Sequence, residues 1–119
     1  MHELAVCQAL LTEVERAAGQ AGAAAVRRVL VRIGALSGVE PQLLARAFEV
    51  ARAGGIAAAA ELSLEVTPVR VRCRDCGAEH EVPPNRLLCP ACGSWRTALR
   101  AGDELVLQRV EFTAARAAA

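Results

Sequence analysis

Near the start of the chain, apolar residues recur at helical steps. Leu4, Cys7, Leu11, Val14 and Ala18 fall three or four positions apart, with Leu10 and Ala17 widening the stripe. Gln8, Thr12, Glu15 and Arg16 occupy the opposite face, so an amphipathic helix is predicted from Glu3 to about Ala18. Gly19 and Gly22 mark its exit. From Val26 to Gly34 the period changes to two. Val29, Val31 and Ile33 alternate with Arg28, Leu30 and Arg32, as in a strand. Leu36 to Glu40 then reads as a turn, and Pro41 suits the first position of a second helix, where its missing N–H would have no helical partner anyway. That helix places Leu44, Ala47, Phe48 and Ala51 on one face, and Gly54-Gly55 ends it.

The run Ala57 to Ala60 fits a helical turn or a loop. Leu62, Leu64 and Val66 alternate with Ser63, Glu65 and Thr67, giving a second strand that Pro68 interrupts or places at a sheet edge. Val69 and Val71 carry extended chain into Cys73. Gly102-Asp103 turns into a third strand, roughly Glu104 to Phe112, whose alternation breaks at Arg109. Thr113 to Ala119 is an alanine-rich tail, expected to fray. The order predicts an α+β fold: a small three-stranded sheet with two helices, plus an inserted four-cysteine, zinc-ribbon-like lobe. The expected division is residues 1–70 with 97–119 as an α/β domain and 71–96 as a metal lobe.

Composition narrows the use of this fold. A chain of 119 residues that is 54% apolar has material for one core, although much of that content is alanine. Aromatic residues are confined to Phe48, Trp95 and Phe112, too few for a platform on which single-stranded nucleic acid stacks. All 14 basic residues are arginine, a mark of genome composition. The formal charge is +1, and four thiolates with one dication bring it to about −1, without the basic excess of a duplex binder. No apolar run reaches the length of a membrane span and no signal peptide opens the chain, so neither a membrane nor a nucleic acid is expected as partner.

Cys73-Arg-Asp-Cys76 and Cys89-Pro-Ala-Cys92 are two Cys-x-x-Cys pairs with 12 residues between them. Each pair sets two sulfurs on one tight turn, and the intervening chain is long enough for a short hairpin that brings the turns together. Four soft thiolates in a tetrahedron suit Zn(II) and leave no open position for substrate, so the expected role is structural. Two disulfides or four unrelated thiols are the alternatives. Metal-type spacing suits a reducing compartment, and a cytoplasmic location is expected. The fifth cysteine, Cys7, lies in the apolar stripe of the first helix and reads as a small buried hydrophobe.

Met1-His2-Glu3 offers different chemistry. The α-amine of Met1, the deprotonated amide of His2 and its imidazole would form adjoining chelate rings around one cation. The Glu3 amide, the Glu3 carboxylate or water would complete the set. Such planar nitrogen-rich sets suit Ni(II) or Cu(II) better than zinc. On these residues alone, an exposed histidine and a dipole-favoured glutamate remain the simpler account.

Taken together, Met1-His2-Glu3-Leu4, the segment Val31 to Pro41 containing Gly34, Ser37-Gly38 and Glu40, and the double Cys-x-x-Cys resemble the HypA/HybF family of nickel metallochaperones. Phe48 and Ala51 ahead of Gly54-Gly55, and Ala60-Glu61-Leu62 leading to Glu65 and Pro68, extend the resemblance over nearly the whole chain. It implies a nickel-binding metallochaperone that delivers Ni(II) to the [NiFe]-hydrogenase large-subunit precursor. Ni(II) would bind through His2 with Met1 and Glu3, and Zn(II) through Cys73, Cys76, Cys89 and Cys92. It further implies a HypB-type GTPase as partner and, in some organisms, urease maturation proteins. Some relatives carry histidines beside the cysteine pairs; here Gly77 and Gly93 stand there, and His80 is read as solvated or outside the ligand set. Glu40 is read as a capping carboxylate, with an oxygen for nickel as the alternative. No catalytic constellation and no phosphate loop are found, so an enzyme is not expected. A zinc-ribbon module that binds protein or nucleic acid is the competing interpretation.

Overall fold

The computed structural model describes residues 3–113. Helix α1 (Glu3–Ala21) buries Cys7, Leu11, Val14 and Ala18, the stripe expected from their spacing. It runs beyond the expected exit because Gly19 stays helical and faces open space. The terminator is Gly22, whose φ of 63° only glycine adopts readily. There the Ala23 N–H donates to the Ala18 carbonyl at 3.0 Å.

Strand β1 (Val26–Gly34) follows, with Val29, Val31 and Ile33 buried. Helix α2 (Pro41–Ala51) starts on Pro41 and buries Leu44 and Phe48. It stops short of Gly54, and the Arg52 guanidinium lies 5.5 Å from the Phe48 ring centroid while donating to the Ala60 carbonyl. The Ala57 to Ala60 run forms turns, with Ala58 donating to Gly55 and Ala60 to Ala57 through their backbones. Strand β2 is Glu61–Thr67, and Pro68 separates it from β3 (Val69–Cys73). Strands β4 (Glu79–Val82), β5 (Thr97–Ala101) and β6 (Leu105–Phe112) complete the order. No described helix is long and apolar enough to cross a membrane.

The strands form two sheets, ordered β2-β1-β6 and β4-β3-β5. The first is the expected three-stranded sheet. The second is new: the extended chain into Cys73 is its central strand, paired antiparallel to β4 and β5. By compactness the described chain divides into two units, one with Val39–Glu65 and the chain on to Val31 and from Val106, the other with Arg32–Gly38 and Val66–Leu105.

In the first unit, Arg28 Nε donates to Ser63 Oγ at 2.9 Å, and Arg27 pairs with Glu111 at 2.7 Å. Arg109, where the alternation of β6 breaks, also reaches Glu111 at 3.5 Å. In the second unit, Val69, Val71 and Val82 form a small buried cluster. Arg70 and Arg72 alternate with these valines along β3, opposite Glu81 and Glu79. Backbones approach closely at Gly34: its N–H bonds the Glu104 carbonyl, and a Cβ there would lie 2.3 Å from the Gly102 carbonyl carbon.

Gly34→Ala therefore forces backbone apart, and a loss of stability on the order of 1–3 kcal/mol is expected in urea unfolding. A Gly19→Ala control, with open space for its methyl, should instead hold or raise the midpoint. The second prediction concerns pH. The hydrogen bond from Arg27 holds the Glu111 carboxyl below the usual carboxylate range against the opposing effect of burial, with Arg109 and Arg28 adding charge. A depressed carboxyl contributes stability that is complete above its unfolded pKa of about 4.3 and disappears as pH falls through the folded value. Unfolding midpoints measured from about pH 7 to about pH 3 should fall more steeply for the wild type than for Arg27→Gln.

Candidate metal centre

Two turns of the same design deliver the four cysteines. In the first, the Cys73 N–H donates to the Ala78 carbonyl and the Gly77 N–H returns to the Cys73 carbonyl, both at 2.9 Å. In the second, Cys89 donates to Ser94 at 2.9 Å and Gly93 returns to Cys89 at 2.7 Å. Gly77 and Gly93 take φ of 75° and 76°, a left-handed conformation that a side chain would strain. These glycines, one after each pair, let the chain reverse so that both thiols of a turn point inward.

The result is a cluster in which the sulfurs of Cys73, Cys76, Cys89 and Cys92 all lie within 4.8 Å of one another. Across the two turns, Cys73 faces Cys92 and Cys76 faces Cys89, each pair 3.6 Å apart. Thiolates held ~2.3 Å from a tetrahedral zinc ion are spaced ~3.8 Å apart, so the cluster fits a zinc site. All five cysteines are free, which sets aside the disulfide alternative. Cys73 and Cys89 are buried, whereas Cys76 and Cys92 are exposed.

The backbone prepares the inner thiols for ionisation. Cys73 Sγ accepts the Cys76 N–H at 3.4 Å, which with a second N–H from Asp75 brings its pKa down to about 6 despite burial. The Cys92 and Ala91 N–H groups lower Cys89 in the same way. At Cys92 the Ser94 N–H works downward, but the neighbouring Cys73, burial and the other thiols outweigh it and push the pKa up to about 12. Cys76 is raised too: the Ala78 N–H lowers it, and contact with Cys89 and Cys73 together with burial prevails. Four sulfurs this close cannot all carry charge without a cation among them, and a zinc ion supplies it.

A polar clamp joins the turns. The Asp75 carboxylate accepts the Ser94 hydroxyl and lies 3.7 Å from the Arg96 guanidinium. Ser94 Oγ in turn accepts the Arg96 N–H at 3.0 Å. Sequence reasoning missed this clamp, although Asp75 sits between the first two cysteines. His80 is absent from the cluster. It lies half-buried in β4 opposite Val71, with Nε2 enclosed and without a hydrogen-bond partner. Cys7 is buried in α1, and burial raises its pKa.

At the other end of the chain, Met1 and His2 lie outside the described residues. Glu3 opens α1, and its carboxylate accepts the Glu40 N–H at 3.4 Å. The Glu40 carboxylate accepts the Leu43 N–H at 2.9 Å and so caps α2, the role expected of it. One residue thus engages the starts of both helices.

Replacing Cys89 by serine should reduce bound zinc from about one per chain to near zero, because three thiolates and a hydroxyl hold it far less firmly. Metal analysis checks the loss. Hydrogen exchange should show Val69–Cys73 and Thr97–Ala101 losing protection while α1 keeps its own.

Comparison with known proteins then places the chain. The family model described as "Hydrogenase/urease nickel incorporation, metallochaperone, hypA" matches residues 1–112. A hydrogenase maturation factor HypA from Nitrosospira multiformis is 46% identical over 112 residues, which cover 94% of this chain and 97% of that protein. One from Aquifex aeolicus is 42% identical over the same length and coverage. The solution structure of the Ni metallochaperone HypA from Helicobacter pylori superposes with a TM-score of 0.69 at 28% identity, covering 96% of this chain and 99% of that one. A second HypA solution structure gives 0.71 at 28% identity, covering 95% and 97%. HypA proteins are metallochaperones and not enzymes, which agrees with the want of a catalytic set in the sequence. With a matching family model, relatives above 40% identity and a four-thiol cluster that fits zinc, the chain belongs to the HypA family of nickel metallochaperones for hydrogenase maturation.

Proposed function

We propose that this chain carries Ni(II) on its N-terminus and delivers it to the large-subunit precursor of a [NiFe]-hydrogenase. The ligands proposed are the imidazole and amide of His2 and the amine of Met1, with Glu3 completing the set. The observation that carries this reading is the tether between Glu3 and Glu40, which fixes the residue after His2 at the start of a helix. Nickel is then bound by a short chain end next to a firm anchor. Such an end releases its cargo ligand by ligand, whereas four thiolates on segment 71–96 keep zinc in place. The amine and amide lose protons on binding nickel, so affinity falls as pH falls. Cu(II) competes at least as well as Ni(II) for such donors, and selectivity comes from supply and docking.

Delivery needs partners. A HypB-type GTPase is proposed as the nickel source or driver and the precursor as recipient, with urease maturation proteins as a second outlet, all in the cytoplasm. Segments 1–70 and 97–119 serve nickel in this account, and 71–96 serves zinc.

A glycine inserted between Met1 and His2 breaks the fused chelate rings without touching the folded part. Nickel titration of untagged protein should then lose its tight phase, as should His2→Ala, while zinc analysis still finds one ion per chain. Undiminished stoichiometric nickel in the insertion variant would sink the amine-chelate reading.

A further inference from the structure

Trp95 is the chain's only tryptophan, yet 78% of its surface faces solvent. It is not an isolated exposed residue. The Thr97 N–H donates to the Trp95 carbonyl at 2.9 Å, and the Thr97 hydroxyl donates to the Leu87 carbonyl at 2.8 Å. Leu99 lies two residues beyond Thr97 on the same face of β5. Leu87 and Leu99 are themselves 39% and 41% exposed. One threonine thus gathers an apolar patch onto the second unit.

Arginines surround it. The Arg74 N–H donates to the Arg96 carbonyl at 2.8 Å, which sets Arg74 beside the residue that follows Trp95. Arg86 precedes Leu87. Arg96 and Arg100 are engaged with Asp75 and Glu79 at 3.7 and 3.9 Å. Arg74 and Arg86 are exposed and make no ion pair among the described residues. Their charges are left for something outside the chain.

A rigid tryptophan with flanking leucines and arginines has the composition of a protein–protein hot spot. Nucleic acid is less well served. Stacking would rest on one ring, and Asp75, Glu79 and a four-thiolate zinc cluster of net charge −2 lie close to the guanidinium groups. We propose that Trp95, Leu87 and Leu99, with Arg74 and Arg86, form a docking face for a partner protein that presents carboxylates around an apolar recess. Tryptophan fills the recess, and the two free guanidinium groups meet the carboxylates, for which their planar forks are matched. The zinc cluster holds the face in shape, because Arg74 and Trp95 both flank the cysteine turns. This inference rests on the nickel-delivery reading only for the choice of proteins to test.

Trp95 reports on its own docking, since no second tryptophan and no tyrosine contributes emission. Zinc-loaded protein is titrated separately with the HypB-type GTPase, the hydrogenase large-subunit precursor and a duplex DNA. A saturable blue shift with one of the two proteins is expected, weakened about tenfold or more by Arg74→Glu and by Arg86→Glu. Zinc content and His2-dependent nickel binding should stay unchanged in both variants. If Arg74→Glu loses zinc through its neighbour Cys73, Arg86→Glu alone decides. No shift with either protein, a shift with DNA alone, or wild-type affinity in Arg86→Glu overturns the proposal. Nickel retention in His2→Ala, measured without any partner, tests the delivery reading independently.

Discussion

Val69, Val71 and Val82 make up a hydrophobic cluster far too small to order Val66–Leu105 by burial alone. The approach of the four sulfurs is the constraint on which that unit depends. A bound zinc ion does for the unit what a larger core does elsewhere; apparent binding energies of about 10–16 kcal/mol are typical where metal and folding are coupled. Everything next to the cluster follows from it. The two glycine-closed turns, the Asp75–Ser94–Arg96 clamp and the backbone bond from Arg74 to Arg96 all exist only while the turns stay together. The sheet β4-β3-β5 is tied in through Cys73, which ends β3 and is also a member of the cluster.

The first unit is organised differently. Its helices and the strands beside them bury a conventional apolar set, from Cys7 and Leu11 to Leu44 and Phe48, and need no metal for their shape. That division suits a carrier. The proposed cargo position is at a chain end, where losing or gaining an ion leaves the core untouched. The resident ion is instead enclosed by ligands that the fold cannot spare. Glu40 links the two helix starts by giving its N–H to Glu3 and its carboxylate to Leu43, so the chain end has a defined origin.

Much of this was legible in the residues, and the exceptions have physical causes. The spacing of Cys7, Leu11, Val14 and Ala18 specifies one helical face, and β1 alternates cleanly, so both were readable. The cysteine pairs were readable because metal chemistry restricts their spacing. Strand β4 was not: Glu79-His80-Glu81-Val82 has one buried residue in four, and its pairing to β3 is set by tertiary contact. Gly19 looked like a stop but stays helical, because a glycine terminates a helix only where a left-handed turn is required, and that turn falls at Gly22. The clamp between Asp75 and Ser94 joins residues 19 positions apart, and no local pattern encodes such a pairing. The reading of His2 and Met1 as nickel ligands rests on chelate chemistry and family resemblance, and lies outside the described residues.

The uneven burial of the four cysteines gives the cluster a floor and a rim. Cys73 and Cys89 are enclosed, while Cys76 and Cys92 face solvent. Each turn contributes one of each, so neither Cys-x-x-Cys pair is wholly accessible. A chelator, a competing soft ion or a thiol-modifying reagent therefore meets the rim first, and it meets one sulfur from each turn. Attack at the rim loosens both turns at once, while the floor thiols keep their backbone N–H partners. Erosion of the lobe is in this way directional, beginning at the solvent side and reaching β3 last.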